Sequence, residues 1–330
     1  MLLIDEDGEP HELAGPTAPE LEAATGWALK PEGLCRGDVC VPLLGRAVVL
    51  DDGTVDVAAW ADALGLPLAL DVDRGVAAVT PPPTGCRLEP GTPAPPLALP
   101  DVDGTVRELP VGAGRKTVLV TWASWCGCRH ELAAWQALQD ELGPDGLSIY
   151  SVALDASPDD ARPWIEAADP AYPVVVDTAH VTAERYGIVN VPSTVWIDED
   201  GTVVKPPTIA PGDDQFADFT GKHADDHHDA LRRWVHDGER PDTAPTDQTL
   251  PPRTDDEQRA LAHRRVAALL HGRGDDAGAA EHLRTATALA PWDWTIRRAG
   301  IKLLGGDPFL GDEFLEFWQD WDSAGRPGYA

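Results

Sequence analysis

The sequence predicts an α/β protein in which helices sandwich a mixed central β-sheet. Between residues 91 and 240, short apolar runs rich in β-branched residues alternate with segments of helical periodicity. Such alternation is typical of a sheet of parallel strands with helices on its faces. The last two runs, Ser193–Ile197 and Thr202–Lys205, are joined by D-E-D-G. This turn sequence predicts an antiparallel hairpin, and therefore a mixed sheet.

The other elements of this central region follow from their residue patterns. The helix expected at Ser157–Ala168 begins S-P-D-D, which combines a capping serine, a proline at the first helical position and two acids in the first turn. Leu97–Leu99 and Val106–Leu109 flank D-V-D-G-T, which predicts a hairpin. We expect Pro206–Gln215 to be a loop. The remaining expected elements are the strands Lys116–Thr121, Leu147–Leu154 and Tyr172–Val176 and the helices Glu131–Leu142, Val181–Tyr186 and Asp225–Val235.

A proline-rich stretch and a polar linker at residues 241–254 separate the central region, 91–240, from its neighbours. Residues 1–90 are predicted to form an N-terminal α+β region, whose role the sequence does not indicate. Its expected elements are the strands Leu2–Ile4 and Ala47–Leu50, the helices Pro19–Thr25 and Val57–Leu64, and a hairpin of Leu68–Asp71 with Val76–Val79.

Residues 255–330 are predicted to be helical. Ala260–Leu270 and Ala277–Leu289 are followed by Pro291, close to the ~34-residue spacing of a tetratricopeptide (TPR) repeat. Trp292–Leu304 would begin a second repeat. Because one repeat cannot bury both its faces, we expect this TPR-like segment to pack on the central region, self-associate or bind a protein partner. An aromatic tail is expected to pack on the chain's own surface, and it comprises Phe309, Phe314, Phe317, Trp318 and Trp321.

The net charge of the chain limits the classes of partner that it can bind. Lys and Arg number 26 against 56 Asp and Glu, which gives a net charge of −30 at pH 7. This balance argues against nucleic acid or an anionic membrane as a partner. The start, M-L-L-I-D-E-D-G-E-P, lacks the basic and apolar regions of a signal peptide, and no apolar run reaches the ~18 residues of a membrane span. We therefore expect a cytoplasmic protein, in which a cysteine pair is more often catalytic or metal-binding than structural.

The chemistry is concentrated at Thr121–His130, which reads T-W-A-S-W-C-G-C-R-H. The motif lies between the predicted strand Lys116–Thr121 and the predicted helix Glu131–Leu142. Cys126 and Cys128 should thus lie at a helix N-terminus, whose partial positive charge lowers a cysteine pKa and favours the nucleophilic thiolate. With one thiol to attack and a second to resolve, the pair is equipped for thiol–disulfide exchange.

The neighbours of the pair are candidate binding residues. Trp122 and Trp125 could wall the site or pack in the core, and Arg129 could steer an anionic substrate or be solvated. In a helix, residues two apart point to nearly opposite sides, so a C-x-C disulfide needs a sharp bend between its cysteines. We expect Gly127 to supply that bend, because glycine adopts positive φ without penalty.

Residues 92–238 resemble the thioredoxin fold, in its ResA/TlpA-like branch. W-A-S-W-C-G-C-R at Trp122–Arg129 is similar to that branch's W-A-x-W-C-x-x-C-R, and Y-G-I-V-N-V-P-S-T at Tyr186–Thr194 is similar to its proline loop. The resemblance implies that Pro192 is cis and lies against the cysteine pair. It further implies that the Val191 backbone lies beside the sulfurs, ready to hydrogen-bond an extended substrate.

The pair departs from the branch in being C-G-C, one residue shorter than C-x-x-C. It resembles a ResA-like group with the pattern W-A-x-x-U-G-C, where U is selenocysteine and Cys126 takes its position. That resemblance implies that Cys126 is the attacking atom. It leaves two substrate classes open, protein disulfides and peroxides.

A second close pair, Cys35 and Cys40, lies in a predicted glycine-containing loop. These residues are either an accessory dithiol that passes electrons to the C-G-C pair or two small loop hydrophobes. The spacing suggests no further ligands for a zinc site. His223, His227 and His228 are either metal ligands or part of an exposed acidic helix start; we favour the helix start and expect no metal.

These patterns favour an enzyme without a cofactor, a thiol–disulfide oxidoreductase in which Cys126 attacks and Cys128 resolves. The alternative within the same class is a thiol peroxidase that uses the same pair. The alternative from another class is an interaction adaptor with a redox-inactive scaffold, which would have no need to retain both cysteines. The expected partners are a disulfide-bearing protein or peroxide substrate, a cellular thiol reductant, and a possible protein bound by the C-terminal helices.

Overall fold

The computed structural model describes residues 1–83, 88–241 and 253–327. Its contacts divide the chain into two compact units. The first unit contains Met1–Gly85 and Arg253–Pro291, and the second contains Cys86–Pro252 and Trp292–Ala330. The helical segment predicted at 255–330 is therefore shared between the units, with the division at Pro291. Cys86 lies outside the described residues.

The strands, numbered along the chain, are β1 Leu2–Ile4, β2 Pro10–Glu12, β3 Ala28–Lys30, β4 Gly33–Arg36, β5 Val39–Val41, β6 Leu68–Asp71, β7 Val76–Val79, β8 Ala98–Pro100, β9 Val106–Glu108, β10 Lys116–Trp122, β11 Leu147–Ala153, β12 Val174–Val176, β13 Ser193–Ile197 and β14 Val203–Ile209. The helices are α1 Ala18–Thr25, α2 Val57–Leu64, α3 Leu132–Leu142, α4 Pro158–Ala168, α5 Val181–Tyr186, α6 Ala217–Thr220, α7 Ala224–Asp237, α8 Asp255–Gly272, α9 Asp276–Leu289, α10 Trp294–Leu303 and α11 Asp312–Ser323. A 3₁₀ helix at Gly127–His130 precedes α3.

The first unit is built on a four-stranded sheet with the strand order β2-β1-β7-β6. The predicted hairpin of β6 and β7 is confirmed as an antiparallel pair, and β1 joins β7 in parallel. Helix α8 packs on β6 and β7, and α9 packs on α8. This packing explains why α8 and α9 belong to the first unit although they follow the second along the chain.

Two expectations for the N-terminal region are wrong. Cys35 and Cys40 do not lie in a loop but face each other on β4 and β5, in a three-stranded sheet with β3. They form a disulfide, with their Cα atoms 4.1 Å apart. The expected strand Ala47–Leu50 is reduced to an isolated bridge between Val49 and Val55, because no neighbouring strand continues the pairing.

The second unit is built on a five-stranded mixed sheet with the order β12-β11-β10-β13-β14. Strands β10, β11 and β12 are parallel, and β13 pairs antiparallel with both β10 and β14. The predicted α/β class and mixed sheet are thus confirmed. The apolar run of β10 is buried because this strand lies at the centre of the sheet.

Two details of the second unit differ from the expectations. Strand β14 continues through Pro206 and Pro207 to Ile209, in place of the expected loop. An edge strand tolerates proline because the backbone N–H groups on its outer side need no partner strand. His227 is not exposed but buried on α7, where its ring lies against Trp135 and Trp196.

Helices α10 and α11 form an aromatic cluster within the second unit, made of Trp294, Phe314, Phe317 and Trp321 with Ile301. The expectation that the aromatic tail packs on the chain itself agrees with this cluster. None of the helices in the described part of the chain is long and apolar enough to cross a bilayer.

Candidate active site

Strand β10 leads directly into the cysteine pair. Cys126 has extended backbone angles, φ −114° and ψ 150°, and caps the 3₁₀ helix that contains Cys128. The backbone N–H of Cys128 donates to Cys126 Sγ at 3.3 Å. The pair therefore lies where the predicted helical segment begins, although its first turn is 3₁₀ and α3 starts only at Leu132.

The proline loop lies beside the reactive sulfur. The Val191–Pro192 peptide bond is cis, as the family resemblance implies. The Cys126 thiol donates to the Val191 carbonyl oxygen at 3.5 Å, and the Val191 N–H donates to the Asn190 side chain at 2.8 Å. The Val191 backbone is thus beside the sulfur, but both of its hydrogen-bonding groups already have partners within the chain.

The two thiols are free and buried, and their pKa values are displaced in opposite directions. Burial by itself would raise the pKa of Cys126, but the hydrogen bond with Cys128 and the positive charge of Arg298 outweigh it and lower this pKa to about 7. Burial raises the pKa of Cys128 well above its usual value, and the hydrogen bond and negative charge of Cys126 raise it further. Cys126 therefore ionises first and is the better nucleophile near neutral pH.

Arg298 reaches this site from α10. Its Nη2 donates to the Trp125 carbonyl oxygen at 3.0 Å, and its Nε donates to the Pro308 carbonyl oxygen at 2.9 Å. The side chain is buried, and its guanidinium carbon lies 4.6 Å from the centre of the Phe314 ring. Sequence reasoning missed this residue; its one signal is the position between Trp294 and Ile301 on the apolar face of a helix.

Glu131 is a second residue that the sequence did not single out. It is 2% exposed and accepts a hydrogen bond from the Gly212 N–H at 2.7 Å. Burial raises its pKa to about 8, opposed by the Gly212 hydrogen bond and reinforced by the charge of Cys126. A carboxyl group that titrates near neutral pH and interacts electrostatically with both thiols can accept or return a proton there.

The predicted neighbours of the pair are held in place by the chain. Trp122 and Trp125 are buried in the core, and Trp125 Nε1 donates to the Leu154 carbonyl oxygen. Arg129 Nη1 donates to the Ser124 carbonyl oxygen, while its guanidinium group lies over Trp164. The contacts of Arg129 therefore tie it to the protein, in contrast to the solvated side chain considered from the sequence.

Gly127 differs from the expectation. It lies in the 3₁₀ helix and does not have positive φ. The structure supplies another reason for glycine: a Cβ atom there would come within 2.5 Å of the Phe216 ring. In this reduced form a side chain at this position would require the Phe216 ring to shift, and no positive φ favours glycine there.

Residues 90–205 match the model of the AhpC/TSA family. The matched segment is about a third of the chain and is similar to a thioredoxin-like domain of that family. The match confirms the fold that the W-A-S-W-C-G-C-R and proline-loop motifs indicated. Arg298 lies outside the matched segment, as does Phe216.

The domain has named relatives. Thioredoxin-like protein YneN of Bacillus subtilis (strain 168) is 29% identical over 120 residues, which are 35% of this chain and 69% of that protein. Thiol-disulfide oxidoreductase ResA of Bacillus thuringiensis subsp. konkukian (strain 97-27) is 29% identical over 122 residues, 36% of this chain and 69% of that protein. Among solved structures, StoA from Bacillus subtilis is 23% identical with a TM-score of 0.33, covering 42% of this chain and 98% of that chain.

Proposed function

We propose that this protein is a thiol–disulfide oxidoreductase in which Cys126 attacks and Cys128 resolves. The chain is an oxidoreductase enzyme of thioredoxin fold, in keeping with the names of its relatives. The single observation that supports the roles of the two cysteines is the opposite displacement of their pKa values, to about 7 for Cys126 and well above the usual value for Cys128.

The first step is attack by the Cys126 thiolate on one sulfur of a substrate disulfide. The substrate S–S bond breaks, a Cys126–substrate disulfide forms, and the second substrate sulfur leaves as a thiolate that takes up a proton. Cys128 then loses its proton and attacks Cys126 Sγ. The second substrate thiol is released, and the Cys126–Cys128 disulfide remains until a cellular thiol reductant returns the pair to its dithiol form.

The electrostatics support this order of events. While Cys126 is a thiolate, its charge holds the pKa of Cys128 high and disfavours a second ionisation. Once Cys126 is in a mixed disulfide, that charge is gone and Cys128 ionises more readily. The same charge raises the pKa of Glu131, so its loss also increases the ionised fraction of the Glu131 carboxyl group, the proposed acceptor of the Cys128 proton.

Trapping tests the proposal. A Cys128→Ser variant should form a mixed disulfide with its substrate that it cannot resolve, so that the partner can be identified by mass spectrometry. A Cys126→Ser, Cys128→Ser variant is the matched control; a partner that this variant also traps is bound through another cysteine, such as Cys86, and is not counted as a substrate. Equal trapping by a Cys126→Ser variant that retains Cys128 would contradict the assigned roles.

A thiol peroxidase is the second candidate, and the limited opening over the thiol favours it, since Cys126 is only 6% exposed and hydrogen peroxide is small. The thiolate would attack one peroxide oxygen, leaving a Cys126 sulfenic acid and water after protonation. Cys128 would then form the disulfide and release a second water. Rapid consumption of one equivalent of peroxide by the reduced protein, lost in Cys126→Ser, would support this reaction over disulfide exchange.

A further inference from the structure

Phe216 covers the residue between the two cysteines. It follows β14 and immediately precedes α6. A Cβ atom built on Gly127 would lie 2.5 Å from both Cε2 and Cζ of the Phe216 ring. The ring is therefore in van der Waals contact with the Gly127 backbone, and the peptide segment between the sulfurs is covered.

The Phe216 ring is part of a continuous row of side chains. Its centroid is 5.9 Å from that of Phe309, with the rings at 71° to each other. The Arg129 guanidinium carbon lies 5.6 Å from the centre of the Phe309 ring and 4.4 Å from that of Trp164. We call these four residues the aromatic rim: Phe216, Phe309, Arg129 and Trp164.

The rim borders the residue between the two cysteines, and both cysteines are buried. Cys126 is 6% exposed and Cys128 is 2% exposed. Attack on a disulfide requires the three sulfur atoms to lie nearly in line, so the substituents on the substrate sulfurs must fit beside the rim. The Val191 N–H, which could otherwise pair with an extended substrate, donates to the Asn190 side chain.

We propose that Phe216 is a specificity-determining residue that admits disulfides with little bulk beside the reacting sulfur and excludes disulfides held in a folded protein surface. The inference rests on the proposed function, and it adds the substrate class. The preferred disulfides are low-molecular-mass molecules, which can reach Cys126 without displacing the ring. The preference for small over bulky disulfides should appear in the rate of the attack step, because the substrate's bulk must fit beside Phe216 in the transition state of that step.

The test measures access to Cys126 without turnover. In a Cys86→Ser, Cys128→Ser background with the Cys35–Cys40 disulfide closed, Cys126 is the remaining free thiol. Its alkylation rate is measured with N-ethylmaleimide and with a maleimide that carries a polyethylene glycol chain. The ratio of the two rates, small reagent over large, reports the steric barrier and cancels differences in thiolate fraction.

Phe216→Ala should lower this ratio by about tenfold, equivalent to ~1.4 kcal/mol in the barrier for the large reagent. Phe216→Leu should give an intermediate ratio, which keeps the test informative if the alanine variant folds poorly. Leu310→Ala is the matched control, because Leu310 is 68% exposed and lies next to the rim in sequence; its ratio should equal that of the parent.

An equal ratio of alkylation rates in the parent and both Phe216 variants would overturn the proposed role of Phe216. The outcome is separable from the proposed function, since alkylation needs only the thiolate. If this role is supported, the rate of folded-insulin reduction relative to that of 2-hydroxyethyl disulfide should rise in Phe216→Ala within the Cys128-containing protein. Faster reduction of insulin than of the small disulfide by the unaltered protein would contradict the assigned substrate class.

Discussion

Arg298 Nη2 lies 3.0 Å from the carbonyl oxygen of Trp125, the residue that precedes the reactive cysteine. The contact joins α10, near the end of the chain, to the loop that follows β10 within the second unit. It places a permanent positive charge in a buried site next to a thiol, where Coulomb interactions are stronger than in water. The C-terminal helices of this unit thus contribute to the electrostatics of the cysteine pair.

Replacing Arg298 with Met should raise the pKa of Cys126 above its present value of about 7. The expected rise is about one pH unit, which would lower the thiolate fraction at neutral pH several-fold. The ultraviolet absorbance of the thiolate against pH measures this pKa, with Cys128 and Glu131 unchanged. Arg298→Lys keeps the positive charge, so the pKa of Cys126 in that variant should stay close to its value of about 7 in the parent.

A neighbouring arginine supplies the control. Arg297 is on the same helix, but its guanidinium carbon lies 4.7 Å from the centre of the Phe317 ring. Arg297→Met should leave the pKa of Cys126 where it is. If the two methionine variants shift this pKa equally, the effect comes from packing of α10 and not from the charge beside Trp125.

Glu131→Gln should change how stability depends on pH. The pKa of Glu131 is raised from 4.5 to about 8 in the folded protein. Between these values the folded state retains a proton that the unfolded state has lost, so the stability that this group contributes is present at low pH and is lost as pH rises. The slope is at most about 1.4 kcal/mol per pH unit.

Urea unfolding of the two proteins at about pH 5 and about pH 9 measures the difference. The Glu131→Gln variant keeps an acceptor for the Gly212 N–H but has no group that titrates at this position. Its free energy of unfolding, relative to that of the parent, should therefore rise with pH. A constant difference across this range would show that Glu131 is not held protonated by burial.

The sequence predicted those parts of the site that are local in the chain. The strand before Cys126, the cysteine pair and the Pro192 loop are contiguous motifs, and the structure brings the pair and the loop together. Arg298 and Phe216 could not be predicted in the same way. They reach the pair only through tertiary packing, and neither residue type is unusual in its local sequence.

The N-terminal region shows a different limit. Strands β4 and β5 have four and three residues, too few for a clear alternation of apolar and polar residues. The sequence of the segment containing Cys35 and Cys40 therefore predicts a loop. The helical type predicted after residue 254 is confirmed. Sequence periodicity does not show which neighbour each helix packs against, so it does not predict the division of these helices between two units.

The Cys35–Cys40 disulfide gives a third prediction. Cys40 is exposed and Cys35 is buried, so an external thiol would attack the sulfur of Cys40 and release Cys35. If the pair relays electrons to the C-G-C site, Cys35→Ser with Cys40→Ser should slow reduction of the oxidised Cys126–Cys128 pair. An unchanged rate with small dithiols and with protein reductants would leave the disulfide a structural link between β4 and β5.

The last prediction concerns the reduction potential of the C-G-C pair. Cys126 has an extended backbone, whereas Cys128 lies in the 3₁₀ helix and Gly127 has no positive φ. Disulfide geometry requires Cβ atoms about 3.5–4.5 Å apart, which residues two apart reach only if the backbone between them bends. Closing the disulfide should therefore reshape Gly127, and the cost should favour the dithiol form.

We expect a potential above the roughly −270 mV of thioredoxin, where ~30 mV corresponds to ~1.4 kcal/mol. Gly127→Val should raise the potential further or prevent the disulfide, because valine restricts the bend and its Cβ would meet Phe216. Phe216→Ala combined with Gly127→Val separates the two causes: it removes the contact and leaves the backbone restriction. Equilibration with a thioredoxin couple measures each potential. A value at or below about −270 mV for the unaltered protein would mean that the two cysteines close without strain.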